Sequence, residues 1–106
     1  MRKVLFVCTM NKLRSKTAET IYQERDDLDV QSAGVAKGAD RVVTREMMEW
    51  ADVVFVMERR HRNKLRKFPD LFSRKTIVCL YIEDEYDYMQ PELVVALKHA
   101  LRRYLG

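Results

Sequence analysis

The sequence is short of the residues that mark special architectures. Among its 106 residues are two cysteines, two histidines and three glycines. Two cysteines, Cys8 and Cys79, are too few for a disulfide scaffold, and neither has a Cys or His neighbour at metal-binding spacing. Each reads as a lone thiol, packed or reactive, and the sequence calls for neither metal nor cofactor. No apolar stretch approaches the roughly 20 residues of a membrane helix. The run Val4–Val7 is too short for a signal peptide and no small-residue cleavage site follows it. A cytoplasmic protein without membrane contact is expected. Glycine marks only one loose segment, Gly34 to Asp40, with Gly38 inside it, and Gly106 ends the chain. No internal repeat or low-complexity tract occurs.

What is present describes a compact fold. Hydrophobic residues make up 47% of the chain and run along its whole length, which excludes disorder. A chain of this size buries about two thirds of its unfolded surface, enough for one core, so residues 1–106 read as one domain. Lys+Arg 20 against Asp+Glu 16 leaves a net charge of +4.

Short apolar runs alternate with stretches of helical period, the pattern of βα units that build a parallel sheet covered by helices. Strands are expected at Lys3–Val7, Asp29–Gln31, Val53–Met57 and Thr76–Tyr81. Helices fall between them. Ala18, Ile21 and Tyr22 mark one from Ser15 to Arg25. Val43, Met47, Trp50 and Ala51 mark a second, with Thr44 as N-cap. His61, Leu65 and Phe68 mark a third, ended by Pro69. Pro91 opens the last, with Leu93, Leu97, Ala100, Leu101 and Tyr104 on one side. The order βαβαβαβα with right-handed crossovers follows. Ligands of such sheets sit beyond the carboxyl ends of the strands.

After the first strand come Cys8, Thr9, Met10, Asn11, Lys12, Leu13, Arg14 and Ser15, leading into a helix. A loop wrapped between a strand end and a helix N-terminus turns several backbone N–H groups inward, making a cradle for a phosphate-like dianion. Arg14 adds a planar fork for two oxygens. A thiol in this positive field is favoured as thiolate, the nucleophilic form. The bland alternative makes Cys8 a buried small hydrophobe and Arg14 a solvated helix-start residue.

Val4 to Cys8 with Asn11, Arg14, Ser15, Ala18 and Glu19 resembles the opening of the low-molecular-weight protein tyrosine phosphatases. The similarity continues through Ser32, Ala33 and Gly34, then Val43 and Thr44, then Ala51 to Met57. It ends at Ile82, Glu83 and Asp84 ahead of Tyr86, similar to the family's Asp-Pro-Tyr loop. The resemblance implies a three-layer α/β sandwich: a four-stranded parallel sheet in the order 2-1-3-4, helices on both faces, and a phosphate-binding loop, residues 9–15, after strand one. It implies Cys8 as the nucleophile that forms a phosphocysteine, Arg14 as the clamp on the phosphoryl oxygens and Asp84 as general acid. Ser15 would steady the thiolate, Asn11 would take a left-handed backbone and Ser32 would support it. The implied substrate is phosphotyrosine.

Departures from the family pattern fall around this set. Met10 stands where the family has Gly, so its side chain must leave the loop or distort it. Leu13 stands where a second, protective cysteine is common, leaving Cys8 open to oxidation. Lys16 and Glu85 replace prolines. The family's supporting histidine has no match, Gly38 being nearest. Typical members carry several tens of residues more, mostly where this chain has only Val35 to Val43, implying a shallower cleft.

Glu83, Asp84, Glu85 and Asp87 form an acidic run beyond strand four, a solvated loop unless one carboxylate faces the cradle. Asp84 is the first candidate and Asp87 the second. Tyr86 and Tyr88 are candidates to flank the cleft, or are packed or surface tyrosines. Arg59, Arg60, Arg62, Lys64 and Arg66 make a basic stripe, either a solvated face or a contact for polyanions. His61 and His99 pair with no Cys or Ser by pattern, and Cys79 reads as core. Three functions compete. Metal-independent phosphomonoester hydrolysis leads. A phosphate-binding module for phosphoprotein or RNA, motivated by Met10 and the missing pocket wall, is the second. Arsenate reduction through Cys8 and Cys79 is the third.

Overall fold

Along β1 (Arg2–Cys8), Val4, Leu5, Phe6 and Val7 have no solvent exposure. A strand hidden on both faces belongs inside a sheet with helices on both sides. The computed structural model, which describes residues 1–106, shows this arrangement. β1 is followed by α1 (Arg14–Tyr22), β2 (Leu28–Gly34), α2 (Arg45–Trp50), β3 (Val53–Val56) and α3 (Arg59–Lys64). A 3-10 turn (Leu65–Lys67), α4 (Pro69–Arg74), β4 (Thr76–Cys79) and α5 (Pro91–Leu105) complete the chain. The four strands form one parallel sheet in the order β2-β1-β3-β4, as expected.

The two faces follow strand alternation. Val4, Phe6 and Cys8 join Ala18 and Tyr22 of α1 and Leu93, Leu97, Leu101 and Leu105 of α5. Leu5, Val7, Val54 and Val56 face the other way, onto Met48 of α2, Leu65 and Leu71 of α4. Each fully buried leucine contributes about 2 kcal/mol by leaving water. Thr44 caps α2 by accepting the Met47 N–H at 3.1 Å. No helix is long and apolar enough to cross a membrane.

Several element boundaries differ from expectation: α1 ends at Tyr22 rather than Arg25 and β3 at Val56 rather than Met57, and three further differences have a local cause. β2 is longer than Asp29–Gln31 because Ser32, Ala33 and Gly34 pair with Phe6, Val7 and Cys8; their small side chains fit beneath the loop after β1. Pro69 opens α4 as its first residue instead of only ending the helix before it. β4 stops at Cys79 rather than Tyr81, since Tyr81 takes φ 56° and turns the chain away.

Candidate active site

β1 ends at Cys8, and the carbonyls of the next turn face a strut made by the segment after β2. Val35 N–H donates to Cys8 O at 2.9 Å, Ala36 N–H to Thr9 O at 3.0 Å and Asp40 N–H to Met10 O at 3.0 Å. A trans peptide holds its N–H opposite its C=O, so the amides of Thr9, Met10 and Asn11 turn away from the strut. Asn11 has φ 60°, a left-handed backbone that asparagine tolerates. Gly34 lies so close beneath this loop that a Cβ there would stand 2.4 Å from Thr9 O and 3.0 Å from Asn11 N. The short 35–43 segment therefore shapes the cradle.

A buried chain of hydrogen bonds supports the loop from below. Asn11 Nδ2 donates to Ser15 Oγ at 2.9 Å and to Ser32 Oγ at 2.9 Å. Ser32 Oγ donates to Glu19 Oε1 at 2.9 Å, and Lys16 Nζ donates to the same carboxylate at 2.9 Å. Ser15 Oγ stands 2.9 Å from Cys8 Sγ. Because Ser15 already accepts from Asn11, its own proton is free for the sulfur; its other acceptor, Ala33 O, is at 3.4 Å. No buried side-chain nitrogen or oxygen lacks a partner.

Arg14 is 2% exposed. Its Nη1 donates to Glu58 Oε2 at 2.5 Å and to Ile82 O at 2.7 Å. With that nitrogen committed, Nε and Nη2 remain as the pair that can fork onto two oxygens. Glu58 also accepts from Arg60 at 2.9 Å. The Arg60 bond and then Arg14 hold the Glu58 carboxyl down at about 2. It therefore stays ionised and keeps Arg14 in place.

His61 is fully buried beside the loop. Its Nδ1 accepts the Glu58 N–H at 3.0 Å and its Nε2 lies 2.8 Å from Thr9 Oγ1. Burial first, then the charges of Arg14 and Arg60, lower its pKa to about 4. A neutral ring that accepts at Nδ1 carries its proton on Nε2, so His61 donates to Thr9. The sequence offered no partner for His61; its partner here is Thr9. Glu58 was likewise not singled out, and Glu19 stood in the resembling motif without a role.

Cys8, Thr9, Met10, Lys12, Leu13, Arg14 and Asp84 line a cleft of about 120 Å³. Asp84 is 57% exposed, with Oδ1 at 3.9 Å from Arg14 Nε. Asp87 lies outside the cleft, its N–H bonded to Gln90 Oε1 at 2.8 Å. Tyr86 and Tyr88 do not line it either. Tyr86 packs against the core on the α5 side, and Tyr88 Oη meets Thr20 Oγ1 at 2.7 Å. Met10 turns outward, with its methyl beside Gly38. Lys12 reaches Asp40 at 2.6 Å.

Cys79 is level with Val7, two strands away through Val56. At roughly 4.8 Å per strand that is about 10 Å, beyond disulfide reach. It also belongs with Val7 to the opposite sheet face from Cys8. The basic stripe divides: Arg60 serves Glu58, while the guanidinium carbons of Arg62 and Arg66 lie 5.0 and 4.6 Å from the Phe72 ring centroid.

Residues 3–50 match the family model described as low molecular weight phosphotyrosine protein phosphatase. Its likeness is to that family. The fold agrees over the whole chain. A low molecular weight protein tyrosine phosphatase from Streptococcus pyogenes superposes with TM-score 0.73 at 16% identity, covering 100% of this chain and 95% of the other. Wzb from Vibrio vulnificus, solved with benzylphosphonate, gives 0.75 at 23% identity, covering 97% and 96%. YwlE arginine phosphatase from Geobacillus stearothermophilus gives 0.68 at 20% identity, covering 100% and 99%. Among curated proteins none matches the sequence.

Proposed function

We propose that this protein is a cysteine-dependent phosphatase that hydrolyses phosphomonoesters, with phosphotyrosine as the preferred class. The observation that carries the reading is the 2.9 Å contact between Cys8 Sγ and Ser15 Oγ at a cleft shared with Arg14 and Asp84.

The phosphoryl group lies in the cradle with two oxygens on Nε and Nη2 of Arg14. Cys8, as thiolate, attacks phosphorus; a P–S bond forms as the P–O bond to the leaving group breaks. Asp84, protonated, gives its proton to the departing oxygen. The Asp84 carboxylate then takes a proton from water, whose oxygen attacks phosphorus and breaks the P–S bond. Inorganic phosphate leaves and the Cys8 thiolate returns, steadied by Ser15. Thr9, with its hydroxyl oxygen occupied by His61, keeps a proton to donate to a phosphoryl oxygen.

The Met10 methyl beside Gly38 removes one of the two motives for a binding module without chemistry, the missing pocket wall being the other. The position of Cys79 removes the motive for the arsenate route. A second reading takes phosphoarginine as substrate, since two structures of similar fold are of an arginine phosphatase.

The test is turnover of an aryl phosphate in the presence of EDTA by the wild type and by Cys8→Ser. Hydrolysis by the first and none by the second is expected. Equal turnover by both, or none by either, refutes the reading.

A further inference from the structure

β4 is an edge strand, and natural sheets usually blunt such edges with charge, proline or a covering segment. Leu80 N–H donates to Val56 O at 2.8 Å and Ile82 N–H to Met57 O at 2.8 Å. By the two-residue alternation of the strand, the peptide groups of Ile77 and Cys79 face outward. A groove of about 630 Å³ wraps this edge, lined by Ile77, Val78 and Cys79 and by Tyr104 of α5. Arg59 and Arg62 of α3 form its rim. Of the six basic residues between 59 and 67, only Arg60 is salt-bridged. The rim arginines thus have no carboxylate of their own chain. Arg62 is nonetheless fixed in direction by the Phe72 ring.

Tyr81 joins this groove to the cleft. It is 71% exposed and has φ 56°. A bulky residue seldom takes a left-handed backbone, and such outliers gather at ligand sites. Tyr81 lines the groove and also a hollow of about 310 Å³ that it shares with Glu58, Arg60 and Glu83. Glu58 in turn holds Arg14. Glu83 of the hollow is next in sequence to Asp84 of the cleft, and Arg59 and Tyr81 line both hollow and groove, so the three follow one another in that order.

We propose that this track binds the chain flanking the phosphorylated residue of a protein substrate: an extended, acidic segment. Its backbone pairs with the open peptide groups of the β4 edge, the mode by which sheets recruit extended peptides. Its carboxylates meet Arg59 and Arg62, and an apolar side chain packs on Tyr81; arginine and tyrosine are the residues that most often dominate such interfaces. The proposal rests on the phosphatase reading and assigns that site its substrate class.

Fluorescence anisotropy with the full-length Cys8→Ser chain tests it, using three phosphotyrosine peptides of equal length flanked by glutamate, glutamine or lysine. The glutamate peptide should bind about tenfold more tightly than the glutamine peptide, and the gap should narrow at high salt. In Arg59→Ala/Arg62→Ala the ratio should fall to near one, and in Tyr81→Ala affinity for both should drop. Each variant supplies its own reference, because the readout is a ratio between peptides.

Equal binding of the three peptides overturns the proposal, as does binding of none or a preference that survives the double variant. A single-stranded RNA that displaces the glutamate peptide at lower concentration than any peptide also overturns it, and makes α3 a nucleic-acid surface. Wild-type failure to hydrolyse an aryl phosphate sinks the phosphatase reading separately, while the peptide ratio still decides the docking track.

Discussion

On one side of the cleft, Cys8, Asn11, Ser15, Ser32 and Glu19 are all at most 9% exposed and are linked without a break by hydrogen bonds. On the other, Asp84 stands 57% exposed on a loop, its nearest charged partner 3.9 Å away. In the proposed reaction, the half that would hold a dianion and a nucleophile is fixed before any ligand arrives, at the cost of burying an arginine, a glutamate and a histidine. The half that would exchange protons with leaving group and water is left wet and lightly held. Preorganised electrostatics are most effective where charge develops, around phosphorus, while a proton donor needs only to reach its oxygen.

Perturbing the fixed half should cost most. Gly34→Ala would place a methyl 2.4 Å from Thr9 O and 2.7 Å from Ala39 Cβ. Overpacking of this kind costs about 1–3 kcal/mol, and here the strain falls on the cradle. Both the chemical denaturation midpoint and aryl phosphate turnover should fall together; an unchanged midpoint with full turnover would show that the strut does not shape the loop.

The exposed half should fail more selectively. Asp84→Asn removes a proton donor worth about 10²–10⁴-fold, so the loss should be large for phenyl phosphate and small for an ester whose leaving group needs no proton. Asp87→Asn, altered outside the cleft, should leave both rates unchanged. A uniform loss across leaving groups in Asp84→Asn would remove it as the acid.

The smallest effect is on stability in acid. An unfolded chain takes up a proton at His61 near pH 6.5, whereas the folded chain resists until about pH 4. The unfolded state thus binds more protons across that window, and stability falls as pH drops through it, by on the order of 2 kcal/mol. Glu58 adds a drop of the same sign between 4.5 and about 2. Urea melts from pH 6.5 to 4 should show the first slope in the wild type and lose it in His61→Gln. A flat wild-type profile would contradict a neutral, buried His61.

The cradle was legible because it is local. Strand, loop and helix follow one another from Arg2 to Tyr22, so the spacing of Cys8, Asn11, Arg14 and Ser15 already states their relation. The sheet order was legible through resemblance and through the apolar run of β1. The supports were not. Glu58 is 44 residues from Arg14, and His61 is 52 from Thr9; each meets its partner only because β3 lies beside β1 and both end at one edge. That adjacency was available as a clue, since Glu58 and His61 closely follow β3. Tyr86 and Tyr88 were offered as cleft walls by nearness in sequence to Asp84, but the chain after Asp84 turns back to α1 and the core. The exposed aromatic near the site is Tyr81, whose left-handed backbone no pattern announces.

The account rests most heavily on a bond between sulfur and phosphorus at Cys8. Asp84→Asn, mixed with a phosphate ester whose leaving group needs no proton and quenched in acid within the first turnover, should accumulate that species. Peptide mass spectrometry of the quenched protein should then find one phosphoryl group on the peptide bearing Cys8, and none in a Cys8→Ser/Asp84→Asn control. Steady turnover with Cys8 unmodified at every quench time, or the phosphoryl group found on another residue, would contradict it.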